Sequence, residues 1–232
     1  MQLKRLSVVF AVLLTGCHAQ YQSSTDQMLQ HIAAEEDALV PDRDASDDGE
    51  ERLESGNLER LLRDSETEPA ERYTLEGLEF DIPVVMNKGV EKWIDYFTTR
   101  GRPFFTKWLE RSAKYIPYMQ QVLNEKGLPE DLVYLSMIES GFSPKAYSRA
   151  RASGPWQFIR STGRRYGLRS DWWIDERRDV EKSTLAAAEH LKTLHDLFNS
   201  WHLAAASYNA GERKIQKAIK RYGTEDFWEL TK

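Results

Sequence analysis

The stretch Pro129-Glu130-Asp131-Leu132-Val133-Tyr134-Leu135-Ser136-Met137-Ile138-Glu139-Ser140-Gly141 decides the fold. Proline and two acids suit a helix's first turn, where N–H groups lack partners and the dipole end is positive. Leu132, Leu135 and Ile138 then recur on one helical face, and Gly141 stands where a left-handed cap would end the helix. The same period extends outward in both directions. Val90, Trp93, Ile94 and Phe97 make one stripe, and Phe104, Phe105, Trp108 and Leu109 a second. Tyr115, Ile116, Met119, Val122 and Leu123 make a third, which Gly127-Leu128-Pro129 stops. Toward the C-terminus, Arg178 to Phe198 is the longest helical run, rich in Ala, Leu, Glu and Lys. Short helices are predicted near Trp201 to Asn209, Glu212 to Tyr222 and from Glu225. No segment alternates convincingly as a strand and no repeat emerges, so the expected class is all-α, a compact helical domain over 82–232.

Composition supports a packed core, with 41% hydrophobic and 11% aromatic residues in a chain of 232. The net charge of −5 is unevenly spread. From Glu35 to Arg72 the sequence holds 15 Asp/Glu against 5 Arg, a balance of −10, whereas the chain from Tyr73 onward comes to +4. The acidic stretch reads as a solvated, self-repelling spacer over 17–81 that gives a tethered domain reach. The mildly basic remainder suits an anionic partner. No dense Lys/Arg run interleaved with aromatics points to nucleic acid.

The first residues read as an address. A basic head, Met-Gln-Leu-Lys-Arg, precedes an apolar run from Leu6 to Leu14 that is too short to span a bilayer, as in a secretory signal over 1–16. Leu14-Thr15-Gly16-Cys17 resembles a bacterial lipobox, whose cysteine is lipidated and becomes the mature N-terminus. Cys17 is the sole cysteine, so no intramolecular disulfide accounts for it. A lipid on Cys17 would hold the protein at a membrane without a transmembrane helix. His18 in place of an aspartate points to the outer membrane, facing the periplasm.

Three motifs carry the chemistry. In Ile138-Glu139-Ser140-Gly141-Phe142-Ser143-Pro144, Glu139 falls in the last turn of its helix. The negative dipole end and apolar neighbours disfavour an ionised carboxylate, which raises its pKa toward what a general acid needs. By itself the motif reads more readily as a surface Glu at a helix end. In Gly154-Pro155-Trp156-Gln157-Phe158, Pro155 suits the first position of a new helix, aiming Gln157 at a sugar or its acetamido group. Trp156 reads mainly as core. In Ala204-Ala205-Ala206-Ser207-Tyr208-Asn209-Ala210-Gly211, small residues suit close helix packing and present Tyr208 and Asn209 together.

Taken in this order, Glu-Ser-Gly-Phe-Ser-Pro, Ser148, Gly-Pro-Trp-Gln and Ser-Tyr-Asn-Ala-Gly resemble the soluble-lytic-transglycosylase (SLT) family, from about Trp93 to Tyr222. The resemblance implies a lysozyme-like helical domain and cleavage of the β-1,4 bond between N-acetylmuramic acid and N-acetylglucosamine in peptidoglycan. It implies Glu139 as the catalytic acid/base. It makes Ser148 a residue that bonds the muramyl sugar or orients the acid, with Gln157 and Tyr208 lining the cleft beside Asn209.

In this family one carboxylate suffices, and the muramyl C6 hydroxyl closes on C1 to leave a 1,6-anhydromuramyl end. Asp171, Asp175 and Asp179 are the nearest further acids and read as caps and Arg partners. The resemblance implies no cofactor and no metal. His190 and His195 are poorly spaced for chelation. The chain is expected to act as a monomer.

Two departures stand out. Gly-Pro-Trp-Gln replaces the Gly-Leu-Met-Gln of much of the family. The chain also ends at Lys232, where relatives continue with further helix and LysM repeats, as in a shortened domain or a short family member. Two other readings stay open: a goose-type lysozyme-like hydrolase, which would need a second acid across the cleft, and a non-catalytic peptidoglycan-binding envelope protein.

Overall fold

The computed structural model describes residues 79–231. Cys17, the signal segment and nearly all of the acidic spacer lie outside these residues. Helix α1 (Lys88–Thr98) starts at Asn87, whose side chain accepts from the Val90 N–H. It buries Val90, Trp93, Ile94 and Phe97, the four residues whose spacing marks its apolar face. Helix α2 (Arg102–Glu125) follows after a short turn and packs on α1.

Here the structure departs from the pattern of stripes. The second and third stripes lie on one 24-residue helix, continuous through Pro117. Proline removes only one ladder donor, and Phe105, Trp108, Met119, Val122 and Leu123 all reach the core from the same rod.

A 3-10 turn (Glu130–Val133) leads into α3 (Tyr134–Ser140), which ends at Gly141 in the left-handed conformation, φ 56°. Buried Asp131 receives the Asp81 N–H at 2.8 Å, tying the start of the domain to this turn. Next comes α4 (Arg160–Arg165), and then a second 3-10 turn (Glu176–Arg178). The long helix α5 (Val180–Phe198) is N-capped by Asp179, which accepts from the Lys182 N–H. Helix α6 (Trp201–Ala210) is capped by Ser200, α7 (Glu212–Tyr222) follows directly, and α8 (Phe227–Leu230) closes the described chain. Among the described residues extended pairing is limited to isolated bridges, so the all-α expectation holds.

The core sits where α2, α3 and α5 meet, around Met119, Leu132, Met137, Trp156 and Leu191. A second cluster of Leu194, Phe198, Leu203 and Phe227 joins α5, α6 and α8. Ala204, Ala205 and Ala206 let α6 lie close against α5, the close packing that small residues permit.

One expected element is absent. No helix starts at Pro155: residues 154–157 form turns, Ser153 bridges Phe158, and α4 begins only at Arg160. Gly154 at φ 82° and Gln157 at φ 47° hold the chain in left-handed conformations that a right-handed helix excludes.

Candidate active site

Helix α3 carries a single carboxyl. Tyr134, Leu135, Ser136, Met137, Ile138 and Ser140 are all buried, and Glu139 alone keeps a partly exposed edge. Two hydroxyls on its inner face hold the neighbouring motif. Ser136 Oγ donates to the Pro155 carbonyl at 2.9 Å and Ser140 Oγ to the same oxygen at 2.8 Å. Gly141 N–H donates back to Met137 O at 2.8 Å, and Phe142 N–H to Ser136 O at 3.3 Å, the two bonds of a left-handed cap. Arg111 donates to the Gly141 carbonyl at 3.2 Å.

The third motif closes the ring. Tyr208, on α6, donates its hydroxyl to the Trp156 carbonyl at 2.8 Å. Asn209, beside it, hydrogen-bonds the Glu139 carboxyl. Chain segments 70 residues apart are thus joined at one oxygen pair, through contacts that run from α3 to the Pro155 turn and back through α6.

Electrostatics follow from this enclosure. Burial pushes the Glu139 carboxyl up from 4.5 to about 7, against the hydrogen bond from Asn209, which lowers it. The residue's edge is exposed, but the carboxyl itself lies deep enough among protein atoms for desolvation to prevail. No acidic side chain is among the causes of the shift. Burial, then the nearby Glu139 and Tyr166, hold the Tyr208 phenol well above its ordinary value, so it remains an O–H donor.

Other expected site residues are placed differently. Gln157 is 9% exposed, and its side-chain nitrogen donates to the Gly154 carbonyl at 2.9 Å. That nitrogen is engaged within its own turn. Ser148 closes another turn: its N–H donates to Ala152 O at 3.0 Å, and its Oγ accepts from Ala152 N–H at 3.1 Å. The Ser148 hydroxyl proton stays available to donate. Trp156 is fully buried with Nε1 donating to Thr184 Oγ1 at 2.9 Å, the core role read from sequence.

The three aspartates act as caps and partners. Asp171 Oδ1 accepts from the N–H groups of Trp173 and Ile174, each at 2.8 Å, and Arg169 bonds its other oxygen. Asp175 pairs with Arg177 at 2.7 Å, and Asp179 caps α5. Arg177, 3% exposed, also donates to the carbonyls of Arg151 and Phe158 at 2.7 and 2.9 Å, which braces the Gly154–Phe158 turn from behind.

The sequence reading passed over one neighbour set. His190 Nδ1 lies 3.0 Å from the Tyr166 hydroxyl, and its ring stands 5.1 Å from that of Tyr208. Burial, with Arg165 adding to it, lowers His190 to about 4, so it is neutral at neutral pH. Its 24-residue separation from Tyr166 leaves no spacing signal to find. Among the described residues no group of His, Cys, Asp and Glu is arranged to hold a metal ion.

The fold and site define a class: a helical domain that keeps one carboxylic acid protonated near neutral pH at the end of a buried helix. Residues 117–231 match the family model for the transglycosylase SLT domain. These residues therefore form a transglycosylase SLT domain. It is 42% identical over 125 residues to membrane-bound lytic murein transglycosylase D of Escherichia coli (strain K12), covering 52% of this chain and 28% of that protein. The protein of the same name from Escherichia coli O6:H1 (strain CFT073) gives the same values. A protein of Alteromonas sp. (strain M-1) named for tributyltin chloride resistance is 35% identical over 116 residues, covering 48% of this chain and 56% of that one. The chain thus spans well under two thirds of the curated relatives it matches.

Proposed function

We propose that this protein is a peptidoglycan lytic transglycosylase, cleaving the β-1,4 bond between N-acetylmuramic acid and N-acetylglucosamine with Glu139 as general acid and then base. The observation that carries the reading is the Glu139 carboxyl itself. It is raised to about 7 by burial, bonded by Asn209, and has no acidic side chain among the causes of its shift. Most glycosidases need a second carboxylate as nucleophile or base. Here the substrate supplies the nucleophile. Protonated Glu139 gives its proton to the glycosidic oxygen as the C1–O bond breaks. The resulting carboxylate takes the proton of the muramyl C6 hydroxyl while O6 bonds to C1, which forms the 1,6-anhydro ring and consumes no water.

The neighbouring groups suit positioning. Asn209 stabilises the carboxylate formed midway, and Ser148 has a proton to donate to the muramyl sugar. Tyr208 fixes the Trp156 backbone beside the acid, while Gln157 shapes the turn that lines the cleft. The domain match and the identity to a murein transglycosylase support this reading. So does the address at the N-terminus: a lipid on Cys17 would place the domain in the cell envelope, at the outer membrane facing the periplasm. Among the described residues no helix is long and apolar enough to cross a membrane.

Incubation of purified peptidoglycan with the chain should release soluble fragments, at a rate that falls as the pH rises through about 7 and the acid ionises. Glu139→Gln should reduce release by at least about a thousandfold, in the upper part of the range for one acid/base group because this group acts twice. Release undiminished in Glu139→Gln would overturn the proposal.

A further inference from the structure

Helix α7 follows the site with only Gly211 between it and α6, so its first turn lies a few residues from Asn209. It carries Arg213, Lys214, Lys217, Lys220 and Arg221 against a single acid, Glu212. All five cations are exposed. At about 100° per residue they fall within an arc of about 120° on one face. Ile215 and Ile219 lie on the opposite side and pack against the second apolar cluster, which fixes the rotation of the helix and turns the cations outward. Among the described residues none of the five makes an ion pair with a carboxylate.

An ordinary solvated helix face alternates signs, because pairs at i,i+4 stabilise when opposite and destabilise when alike. On α7 Arg213 and Lys217 stand at that spacing, as do Lys217 and Arg221, and every such pair is alike. The helix therefore carries self-repulsion that an anionic partner would relieve. In peptidoglycan the alternating amino sugars are neutral. The negative charge lies on the carboxylates of the peptide stems that hang from the muramyl residues.

We propose that the outer face of α7 is a docking surface for the peptide-stem carboxylates of glycan strands seated at Glu139, so that the domain favours strands that still carry stems over stripped ones. The proposal rests on peptidoglycan being the substrate, as argued above, and it adds what the site recognises besides sugar. Charge complementarity favours this partner, and only Gly211 separates α7 from α6, whose Asn209 bonds the acid.

The test measures binding, so it stands apart from cleavage. The Glu139→Gln chain is titrated on surface-immobilised glycan strands at low and high salt, either intact or freed of stems by an amidase and then amidated at the lactyl carboxyl that the amidase exposes. The expected result is tighter binding to stem-bearing strands, weakening as salt rises. Replacing Lys214, Lys217 and Lys220 by glutamine should remove that preference, a change of about tenfold for three exposed charge pairs. Binding to stripped strands and the thermal melt should stay as in the parent. Equal loss on both polymers, or no loss on either, overturns the proposal. Tighter binding after neutralisation also overturns it and assigns the face to the acidic segment 35–72 of the chain itself. Loss of binding only to phosphatidylglycerol vesicles, run alongside, overturns it in favour of a membrane surface.

Discussion

Glu139 experiences two opposed influences, and their balance decides its chemistry. Burial favours the neutral acid, and the Asn209 hydrogen bond favours the carboxylate. With burial ahead, the group ionises near 7 in the folded protein against 4.5 in the unfolded chain. A carboxyl raised in this way contributes its full stability below pH 4.5. That contribution is lost as the pH climbs through about 7, because the unfolded chain releases the proton first. The displacement corresponds to about 3 kcal/mol, reduced to about 2 by the partly exposed edge.

Glu139→Gln should therefore match the parent in stability below pH 4.5 and exceed it by about 2 kcal/mol at pH 8, measured by urea unfolding at both values. Equal stability at pH 8 would mean that the carboxyl is solvated, and the acid role would lose its basis. At this scale the sequence was informative about which residues gather: Glu139, Tyr208 and Asn209 stand in short motifs and meet in space. It was silent on what Asn209 does to the acid, and on His190 and Tyr166, which approach Tyr208 only through the packing of α5.

The elements that hold the site depend on backbone conformation as well as on the side chains that clamp it. Gly154 and Gly167 share a left-handed φ of 82°, yet their surroundings differ. A Cβ on Gly154 would lie 1.7 Å from the Arg177 carbonyl oxygen, while one on Gly167 meets nothing within 4 Å. Alanine at 167 should cost about 1 kcal/mol, the backbone penalty alone. Alanine at 154 should cost at least about 3 kcal/mol, because the Arg177 backbone must also move. Thermal unfolding of the two variants checks this contrast, and similar losses would contradict the close packing of the 3-10 turn on the Pro155 loop.

The same glycine explains what helical period could not reveal. Apolar spacing located α1 and α3, and a run rich in Ala, Leu, Glu and Lys located α5, because each of them buries apolar side chains. The Pro155 segment has helix-start residues but is locked by left-handed backbone at its two ends and clamped by Ser136, Ser140 and Arg177. The second and third apolar stripes likewise read separately, whereas one helix continuous through Pro117 carries both.

At the scale of the molecule, a family domain occupies residues 117–231, and α1 with the first part of α2 adds a buried aromatic group before it. There Phe97 stacks with Trp93 and touches Phe105 and Trp108, with ring centroids 5.4 to 5.9 Å apart. Trp108 lies where a Cβ on Gly141 would be, 2.2 Å from its ring, so this group supports the cap of the helix that carries Glu139. The order of the three motifs made the family readable. The extent of the supporting helices was readable only as apolar periodicity, since packing residues carry no signature of what they pack against.

The central claim is that one carboxylate and the substrate's own hydroxyl complete the reaction. Mass spectrometry of the soluble products from purified peptidoglycan tests it most directly. The account predicts muropeptides one water lighter than hydrolysis products, absent when Glu139 is replaced by glutamine; ordinary reducing ends would contradict it and require a second acid.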